Sequence, residues 1–247
     1  VVTKTRLMVD ASHAGASLSA LVTVGVTMNG QQFSHPRAPF AYFGRLVISS
    51  LSPACGPTSG GTLVRVRGCQ LGNGSAYRCR FGGDINSVTV EASRIDEGIL
   101  QCITPPGLPC VSAPLEVSLN ALDFTTDALP FLFYEDPALL AVSSLVPVQV
   151  DIEVEPRSGP VDGGTAVTVF HGMGPGCDHC CAFGNHSEQM VHGSRDRDSR
   201  GTVCMSSPAS SQSARGLYNE SARRAVLVSL NGQQYTVRSS RPFRFFD

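Results

Sequence analysis

The sequence has no tryptophan, and among its 19 basic residues only Lys4 is a lysine. Sugar-binding surfaces commonly stack on exposed indole rings, so the absence of tryptophan counts against a carbohydrate-binding module. The net charge of −1 provides no bulk attraction to nucleic acid or to an anionic membrane. No apolar run reaches the about 18 residues that a membrane-spanning helix requires, so we expect any membrane anchor to lie outside this segment.

Recognisable catalytic motifs are also lacking. The sequence has no nucleophile elbow, no glycine-rich phosphate loop and no metal-hydrolase spacing. We therefore predict no catalytic residues, no enzyme activity, no cofactor and no nucleic-acid partner. The excess of arginine is typical of GC-rich codon usage, as in a green alga, and does not by itself indicate binding through arginine.

What the sequence does contain is an internal repeat. Residues 52–62 read SPACGPTSGGT, and residues 155–165, which lie 103 positions later, read EPRSGPVDGGT. Each copy is followed by a strand-like segment of alternating polarity, at residues 63–67 and 166–170. A period of about 100 residues indicates tandem domains rather than a solenoid of short units.

A second pattern occurs three times. Residues 24–33, 115–124 and 226–235 each read as a strand, a turn and a second strand. Asn-Gly in the first and third copies predicts a two-residue hairpin turn of type I′. An aromatic strand closes each copy, at residues 39–43, 130–134 and 242–246. Alternate side chains of a strand share one face, so we predict that these rings fill a core.

These repeats predict an all-β chain of tandem β-sandwiches. Each full repeat has about seven short strands with turns every 8–12 residues or so. The predicted units are the C-terminal half of one repeat (1–44), a full repeat (45–136), a connector (137–147) and a second full repeat with longer polar loops (148–247). Because the chain starts inside a strand-like pattern, we expect it to be part of a longer protein.

The nine cysteines indicate disulfides and an oxidising compartment. Cys79 and Cys102 are 23 residues apart, and so are Cys181 and Cys204. We predict both pairs as disulfides that bridge strands of one sandwich. In the chain-entropy model, closing a loop of that size stabilises the fold by about 3 kcal/mol.

The other cysteines leave alternatives open. Cys177 and Cys180 are predicted to form a short disulfide loop, with a longer-range partner as the alternative. A competing hypothesis is a metal site in which Cys177, His179 and Cys180 are joined by His186 or His192. A second Cys or His pair at zinc-binding spacing is missing, so we predict no metal site. Three further cysteines can pair with one another in any combination: Cys55, Cys69 and Cys110.

Two surface features bear on function. N-glycosylation sequons begin at Asn73, Asn185 and Asn219, which supports secretion. A loop of mixed charge in the second full repeat is a candidate partner-binding site, because loops carry binding while strands carry the fold. Its charged residues are Arg195, Asp196, Arg197, Asp198 and Arg200.

Three segments of the first full repeat are informative together: residues 53–68 (PACGPTSGGTLVRVRG), residues 99–105 (ILQCITP) and residues 131–136 (FLFYED). They resemble the opening, the central strand with a cysteine just before Thr-Pro, and the closing strand of the IPT/TIG domain family. The second full repeat keeps the opening and the closing strand. It has residues 202–208 (TVCMSSP) in place of the Cys-x-Thr-Pro form. The resemblance covers nearly the whole chain and implies tandem Ig-like sandwiches of the early-set type.

The family occurs in receptor ectodomains, giant surface proteins, Rel-type transcription factors and beside starch-acting enzymes, so fold alone does not choose a function. With the disulfides and sequons, the resemblance implies an extracellular segment of a larger, membrane-anchored glycoprotein. Its expected role is adhesion or recognition of a protein partner, or of a glycan, on the same or another cell. In a green alga this would be a gamete or flagellar surface adhesion protein. The alternatives are a carbohydrate-binding or spacer module of a secreted enzyme, a Rel-type DNA-binding protein and a purely structural stalk.

Overall fold

The computed structural model describes residues 6–8, 19–35, 38–83, 86–108, 112–135, 152–171, 176–184, 190–196, 201–209, 223–235, 239 and 241–246. Within these ranges the regular secondary structure consists of strands, and no helix occurs. The predicted all-β fold is therefore confirmed. Accordingly, none of the described segments is a helix that could cross a membrane. The predicted connector, residues 137–147, lies outside the described residues.

The N-terminal segment forms a three-stranded antiparallel sheet, in which β2 (Ser19–Thr27) lies between β1 (Arg6–Met8) and β3 (Ala38–Phe43). Phe40 and Tyr42 of β3 are 49% and 46% exposed, so the prediction that these rings fill a core is wrong. The reason is that the described strands of this segment form a single layer and have no second sheet of their own to enclose the rings.

The first full repeat is a sandwich built from one curled sheet. Its strands are β4 (Val47–Ser52), β5 (Cys55–Pro57), β6 (Leu63–Cys69), β7 (Arg78–Phe81), β8 (Val88–Asp96), β9 (Ile99–Ile103), β10 (Ser112–Ser118) and β11 (Leu129–Tyr134). They are hydrogen-bonded in the order β4-β6-β9-β8-β7-β10-β11-β5. The long strand β8 pairs with β7 at residues 88–91 and with β9 at residues 92–96. It therefore passes from one layer of the sandwich to the other.

The second full repeat has the same arrangement in two separate sheets. Its strands are β12 (Glu153–Glu155), β13 (Ser158–Pro160), β14 (Ala166–Phe170), β15 (Cys180–Phe183), β16 (Met190–Arg195), β17 (Gly201–Met205), β18 (Arg223–Arg224), β19 (Val226–Ser229) and β20 (Phe243–Phe246). One sheet has the order β12-β14-β17-β16-β15-β19 and the other the order β13-β20-β18. The parallel pairing of β13 with β20 repeats that of β5 with β11. Both repeats are thus Ig-like sandwiches.

Each sandwich has a hydrophobic core to which its closing aromatic strand contributes, as predicted. Phe131 and Phe133 are buried in the first repeat and pack edge to face with ring centroids 5.1 Å apart. Phe243 and Phe245 do the same in the second repeat, also at 5.1 Å. Such edge-to-face pairs add about 0.5–1.5 kcal/mol to what the buried area alone contributes.

The repeated Gly-Gly-Thr segment forms the same turn in both repeats. Gly60 and Gly163 have φ angles of +78° and +79°, in the left-handed region that glycine adopts without steric cost. A Cβ atom on Gly60 would lie 2.7 Å from the carbonyl carbon of Pro105, which is too close for any side chain. Backbone conformation and packing therefore both require glycine here.

The second repeat departs from the Cys-x-Thr-Pro form without losing the contact that the threonine makes. In the first repeat the backbone N–H of Thr62 donates to the hydroxyl of Thr104 at 3.1 Å. In the second repeat the N–H of Thr165 donates to the hydroxyl of Ser206 at 3.0 Å. A serine hydroxyl thus takes the place of the threonine hydroxyl, and the turn is preserved.

The three hairpin connections are five-residue loops, so the predicted two-residue type I′ turns are wrong. The flanking bridges join Thr27 to Phe33, Ser118 to Phe124 and Ser229 to Tyr235. In each loop an asparagine side chain accepts the N–H groups two and three residues further on. Only the residue after the asparagine has a positive φ, whereas a type I′ turn needs two such residues. The asparagine side chain, rather than the backbone alone, holds the loop.

Candidate functional site at the junction of the two full repeats

Both cysteine pairs with the repeated 23-residue spacing are bonded in the structure. Cys79 of β7 is joined to Cys102 of β9, with Cα atoms 6.5 Å apart. Cys181 of β15 is joined to Cys204 of β17, with Cα atoms 6.2 Å apart. All four cysteines are buried, so these two bonds are internal links within each sandwich.

Cys177 is not joined to Cys180, and the predicted short loop is wrong. Cys177 forms a disulfide with Cys55 of the first full repeat, with Cα atoms 5.7 Å apart. Cys180 is a free and fully buried thiol at the start of β15. Cys177 precedes that strand and lies against the first repeat, whereas the Cys180 side chain lies inside the second repeat beside Asp178. The longer-range alternative for Cys177 is the one that the structure contains.

The pairings left open for the remaining cysteines are also affected. Those that use Cys55 are wrong, because this residue is bonded across the junction. Cys69, at the end of β6, is a free and exposed thiol. Cys110 lies outside the described residues. The only inter-repeat disulfide among the described cysteines is therefore one that no repeated spacing indicates.

A loop of the second full repeat binds the first repeat beside this disulfide. The side chain of Gln233 accepts the N–H of Leu63 at 3.0 Å and donates to the Leu63 carbonyl at 2.9 Å. Asn231 Nδ2 donates to the Cys55 carbonyl at 3.4 Å and to the Thr62 hydroxyl at 3.3 Å. Asn231 is only 2% exposed, so water competes little for its bonds. Sequence reasoning assigned these residues to a turn and missed their contact with the other repeat.

The closing strand of the first repeat faces both cores. Phe131 and Phe133 of β11 belong to the core of the first repeat, whereas Tyr134 packs with the core of the second. Leu132, which lies between the two phenylalanines, packs against the second core as well. Because alternate side chains of a strand point to opposite faces, β11 contributes side chains to both cores. The two sandwiches are thus joined by apolar contact, hydrogen bonds and a disulfide.

A cleft of about 420 Å³ lies beside these contacts. Residues of both repeats line it: Leu51, Ser52, Pro53, Ala54, Leu63, Arg65, Cys177, Asp178, Asn231, Gly232 and Gln233. Several of these carry charged or amide side chains, so the cleft is suited to a small polar group rather than to an apolar ligand.

Asp178, which lines this cleft, lies close to Cys180 and His192. Their polar atoms lie 3.5–3.8 Å apart: 3.5 Å for His192 Nδ1 to Asp178 Oδ1, 3.6 Å for Cys180 Sγ to His192 Nδ1, and 3.8 Å for Cys180 Sγ to Asp178 Oδ1. Burial and the neighbouring Asp178 carboxylate raise the pKa of the Cys180 thiol to about 11. The thiol is therefore protonated at neutral pH, and it lacks the lowered pKa of a catalytic nucleophile.

A second polar cluster lies next to the first. The hydroxyl of Thr202 is hydrogen-bonded to His171 Nε2 at 3.0 Å and to His179 Nδ1 at 2.7 Å. Burial, with smaller contributions from His179 and Arg195, lowers the pKa of His171 to about 4. Burial and Arg195 also lower the pKa of His179. Both imidazoles are therefore neutral at pH 7, and a single hydroxyl links them.

We expect this cluster to make stability fall as the pH falls. The folded pKa of His171 is about 4 against 6.5 for an ordinary histidine, so between these values the unfolded chain binds more protons than the folded chain. The free energy of unfolding should therefore decrease from pH 6.5 to pH 4, by up to about 3 kcal/mol from His171 alone, and be independent of this group above and below that window. Urea unfolding at several pH values measures the change.

The matched variant for this prediction is His171→Gln, which cannot take up a proton. Its stability should change less than that of the parent between pH 6.5 and pH 4, whereas His35→Gln, at an exposed site, should behave as the parent does. An identical pH profile for the parent and His171→Gln would contradict the assignment.

The structure places some of the predicted surface residues and not others. Asn73 is exposed, with a φ angle of +61°, and its sequon is open to an attached glycan. Arg195 is exposed at the end of β16, and Asp196 follows it. The others lie outside the described residues: Asn185, Asn219, Arg197, Asp198, Arg200 and, of the proposed metal ligands, His186. The loop and the sequons remain predictions.

A family model for the IPT/TIG domain matches residues 46–133. Among solved structures, the chain is similar to the Plexin A4 extracellular region. For domains 1 to 10 the identity is 17%, with 93% of this chain and 18% of that chain covered and a TM-score of 0.49. For domains 1 to 8 the identity is 17%, with 90% of this chain and 21% of that chain covered and a TM-score of 0.46. The FN1–FN3 domains of chicken CNTN1 match at 13% identity over 92% of this chain and 76% of that chain, with a TM-score of 0.31. This chain thus spans about a fifth of the length of the plexin chains.

Proposed function

We propose that the chain, in which residues 46–133 match a family model for the IPT/TIG domain, is a non-enzymatic extracellular segment of a larger cell-surface glycoprotein that acts in adhesion or partner recognition. The described residues contain three disulfides. Disulfides of this kind persist in oxidising environments such as the cell exterior. The disulfides support an extracellular location, and the adhesive role is the step beyond them.

The observation that carries the proposal is the joined pair of sandwiches. The Cys55–Cys177 disulfide, the hydrogen bonds of Asn231 and Gln233, and the contacts of β11 hold the two repeats in one arrangement. A joined pair presents its end loops at a fixed spacing, which lowers the entropy that a partner must remove on binding. Two sandwiches joined only by a flexible linker would lack this advantage.

The surface that we assign to the partner is the loop that begins at Arg195 and Asp196. Arg195 is the last residue of β16, and the N–H of Asp196 donates to the carbonyl of Gly201, the first residue of β17, at one end of the second sandwich. Loops in that position carry recognition in many sandwich domains, because the strands are committed to the core. A protein partner with its own mixed charges would complement the loop.

Cell binding by the secreted chain tests the proposal. The 247-residue chain, expressed through a secretory pathway, should bind saturably to intact cells of its native source, and antibodies to it should stain those cells without permeabilisation. The double variant Arg195→Ala, Asp196→Ala should bind at least about tenfold more weakly, since a few residues dominate most protein interfaces. Arg157→Ala, at another exposed arginine of the same repeat, is the matched control and should bind as the parent does.

Other outcomes would point to the alternatives. Staining of intact cells without any binding by the free chain would indicate a structural stalk. Binding to isolated polysaccharide rather than to cell-surface protein would indicate a carbohydrate-binding module. Staining only after permeabilisation would contradict the extracellular assignment itself.

A further inference from the structure

Three side chains of different chemistry share one face of the β15–β16 hairpin. Cys180 and His192 are directly opposed in the antiparallel register, so their side chains lie on the same face. Asp178 precedes Cys180 by two residues and reaches the same point, as the hydrogen bond between their side chains shows. A carboxylate, a thiol and an imidazole are thus brought together by a strand and its partner, although 12 residues separate Cys180 from His192.

From this arrangement we propose that Asp178, Cys180 and His192 bind one thiophilic divalent cation, and that Zn²⁺ fits best. The site does not depend on the proposed surface role, and the ligand set differs from the one considered in the sequence. Cys177 cannot be a ligand because it forms a disulfide with Cys55, and His179 is hydrogen-bonded to the Thr202 hydroxyl instead. The ligand that sequence spacing did not indicate is Asp178.

The geometry agrees with a tetrahedral centre that has one open position. Zinc bonds of about 2.3 Å to sulfur and about 2.0–2.1 Å to nitrogen or oxygen place tetrahedral ligand atoms about 3.3–3.6 Å apart. The separations in the structure are 3.5, 3.6 and 3.8 Å, so ordinary bond lengths are reached with shifts of a few tenths of an ångström at most. Three protein ligands leave the fourth position to water or to a group from a partner.

The ligand chemistry favours zinc over the common hard cations. Thiolate and imidazole are preferred by zinc and similar metals, whereas calcium and magnesium prefer sites made of oxygen ligands alone. The three proposed metal ligands differ in exposure. Cys180 is fully buried, whereas the side chains of Asp178 and His192 are 47% and 77% exposed. A cation can therefore enter from the solvent side and reach the thiol.

The surroundings of the site connect it to the junction between the repeats. Asp178 lines the inter-repeat cleft, and its backbone forms an isolated parallel β-bridge with Asn231. A Cβ atom on Gly232 would lie 2.8 Å from Asp178 Oδ2, so the loop that binds the first repeat also packs against a ligand. Metal binding would hold Asp178 in place and thereby support this loop.

Zinc titration of the untagged chain tests the proposal. The Cys69→Ser background removes the one exposed free thiol among the described residues, which would otherwise bind metal on its own. The protein should bind one Zn²⁺ per chain in competition with a chromophoric chelator, and its melting temperature should rise with added Zn²⁺. Replacement of Zn²⁺ by Co²⁺ should give the visible bands of a tetrahedral centre and a sulfur-to-cobalt charge-transfer band.

Three variants make the result decisive. His192→Ala, at an exposed position where folding is not at risk, should lower the Zn²⁺ affinity by at least about tenfold, and Asp178→Asn should also lower it. Cys180→Ser should abolish the charge-transfer band. His35→Ala, at an exposed site between β2 and β3, is the matched control and should bind as the background does. Equal affinity of His192→Ala and the background, the absence of any one-to-one binding, or a Co²⁺ complex without the sulfur band would overturn the proposal.

Discussion

Replacing both Cys55 and Cys177 with serine should lower the stability of the chain more than any other change to its disulfides. The bond closes a loop with a sequence separation of 122 residues, and the chain-entropy model assigns about 5 kcal/mol to a loop of this length. The other two bonds each close a separation of 23 residues, for which the same model gives about 3 kcal/mol. Urea unfolding followed by circular dichroism measures the difference.

The same double variant should also uncouple the two repeats. With the disulfide gone, the described junction keeps the hydrogen bonds of Asn231, Gln233 and Gln234 and the contacts of β11. We expect the single unfolding transition of the parent to separate into two. Cys69→Ser removes a free, exposed thiol and is the control, with a curve like that of the parent. A double variant with one transition at the parental urea midpoint would show that the bond contributes nothing to the junction.

Truncation of Phe243 to alanine is the second change with a large expected effect. The ring is fully buried and packs edge to face with Phe183 at 5.4 Å and with Phe245 at 5.1 Å. Removing a buried phenylalanine side chain costs about 3–5 kcal/mol, because apolar burial is lost and a cavity remains. The measurement is the free energy of unfolding of the chain in urea.

The same strand supplies the control. Phe246, three residues further along β20, is 50% exposed, so Phe246→Ala should change the stability by no more than about 0.5 kcal/mol. Similar losses for the two variants would contradict the assignment of Phe243 to the core of the second sandwich.

Features fixed by short stretches of chain could be predicted from the sequence. The Gly-Gly-Thr motif dictates its own turn, since Gly60 needs both a positive φ and the absence of a side chain. The 23-residue cysteine spacing recurs because Cys79–Cys102 and Cys181–Cys204 link equivalent strands of equivalent sandwiches. In such cases the repeat itself carries the information, because each copy must satisfy the same local geometry.

Features set by the packing of one repeat on the other could not be predicted in this way. Cys55 has no equivalent in the second repeat, where the matching position is Ser158, so no repeated spacing marks its bond to Cys177. The contact of Gln233 with Leu63 depends on how the sandwiches are oriented, which no local pattern encodes. The three side chains of the proposed metal site meet because of strand register, which was not assigned from the sequence.

The central claim is that a disulfide between the two full repeats holds two Ig-like sandwiches together, and peptide mapping under non-reducing conditions tests it most directly. Protein from its native source would be alkylated, digested without reduction and analysed by mass spectrometry. The account predicts a linked peptide pair containing Cys55 and Cys177, with Cys180 recovered as an unlinked cysteine. Recovery of Cys55 and Cys177 as alkylated free thiols, or a link from Cys177 to Cys180, would contradict it.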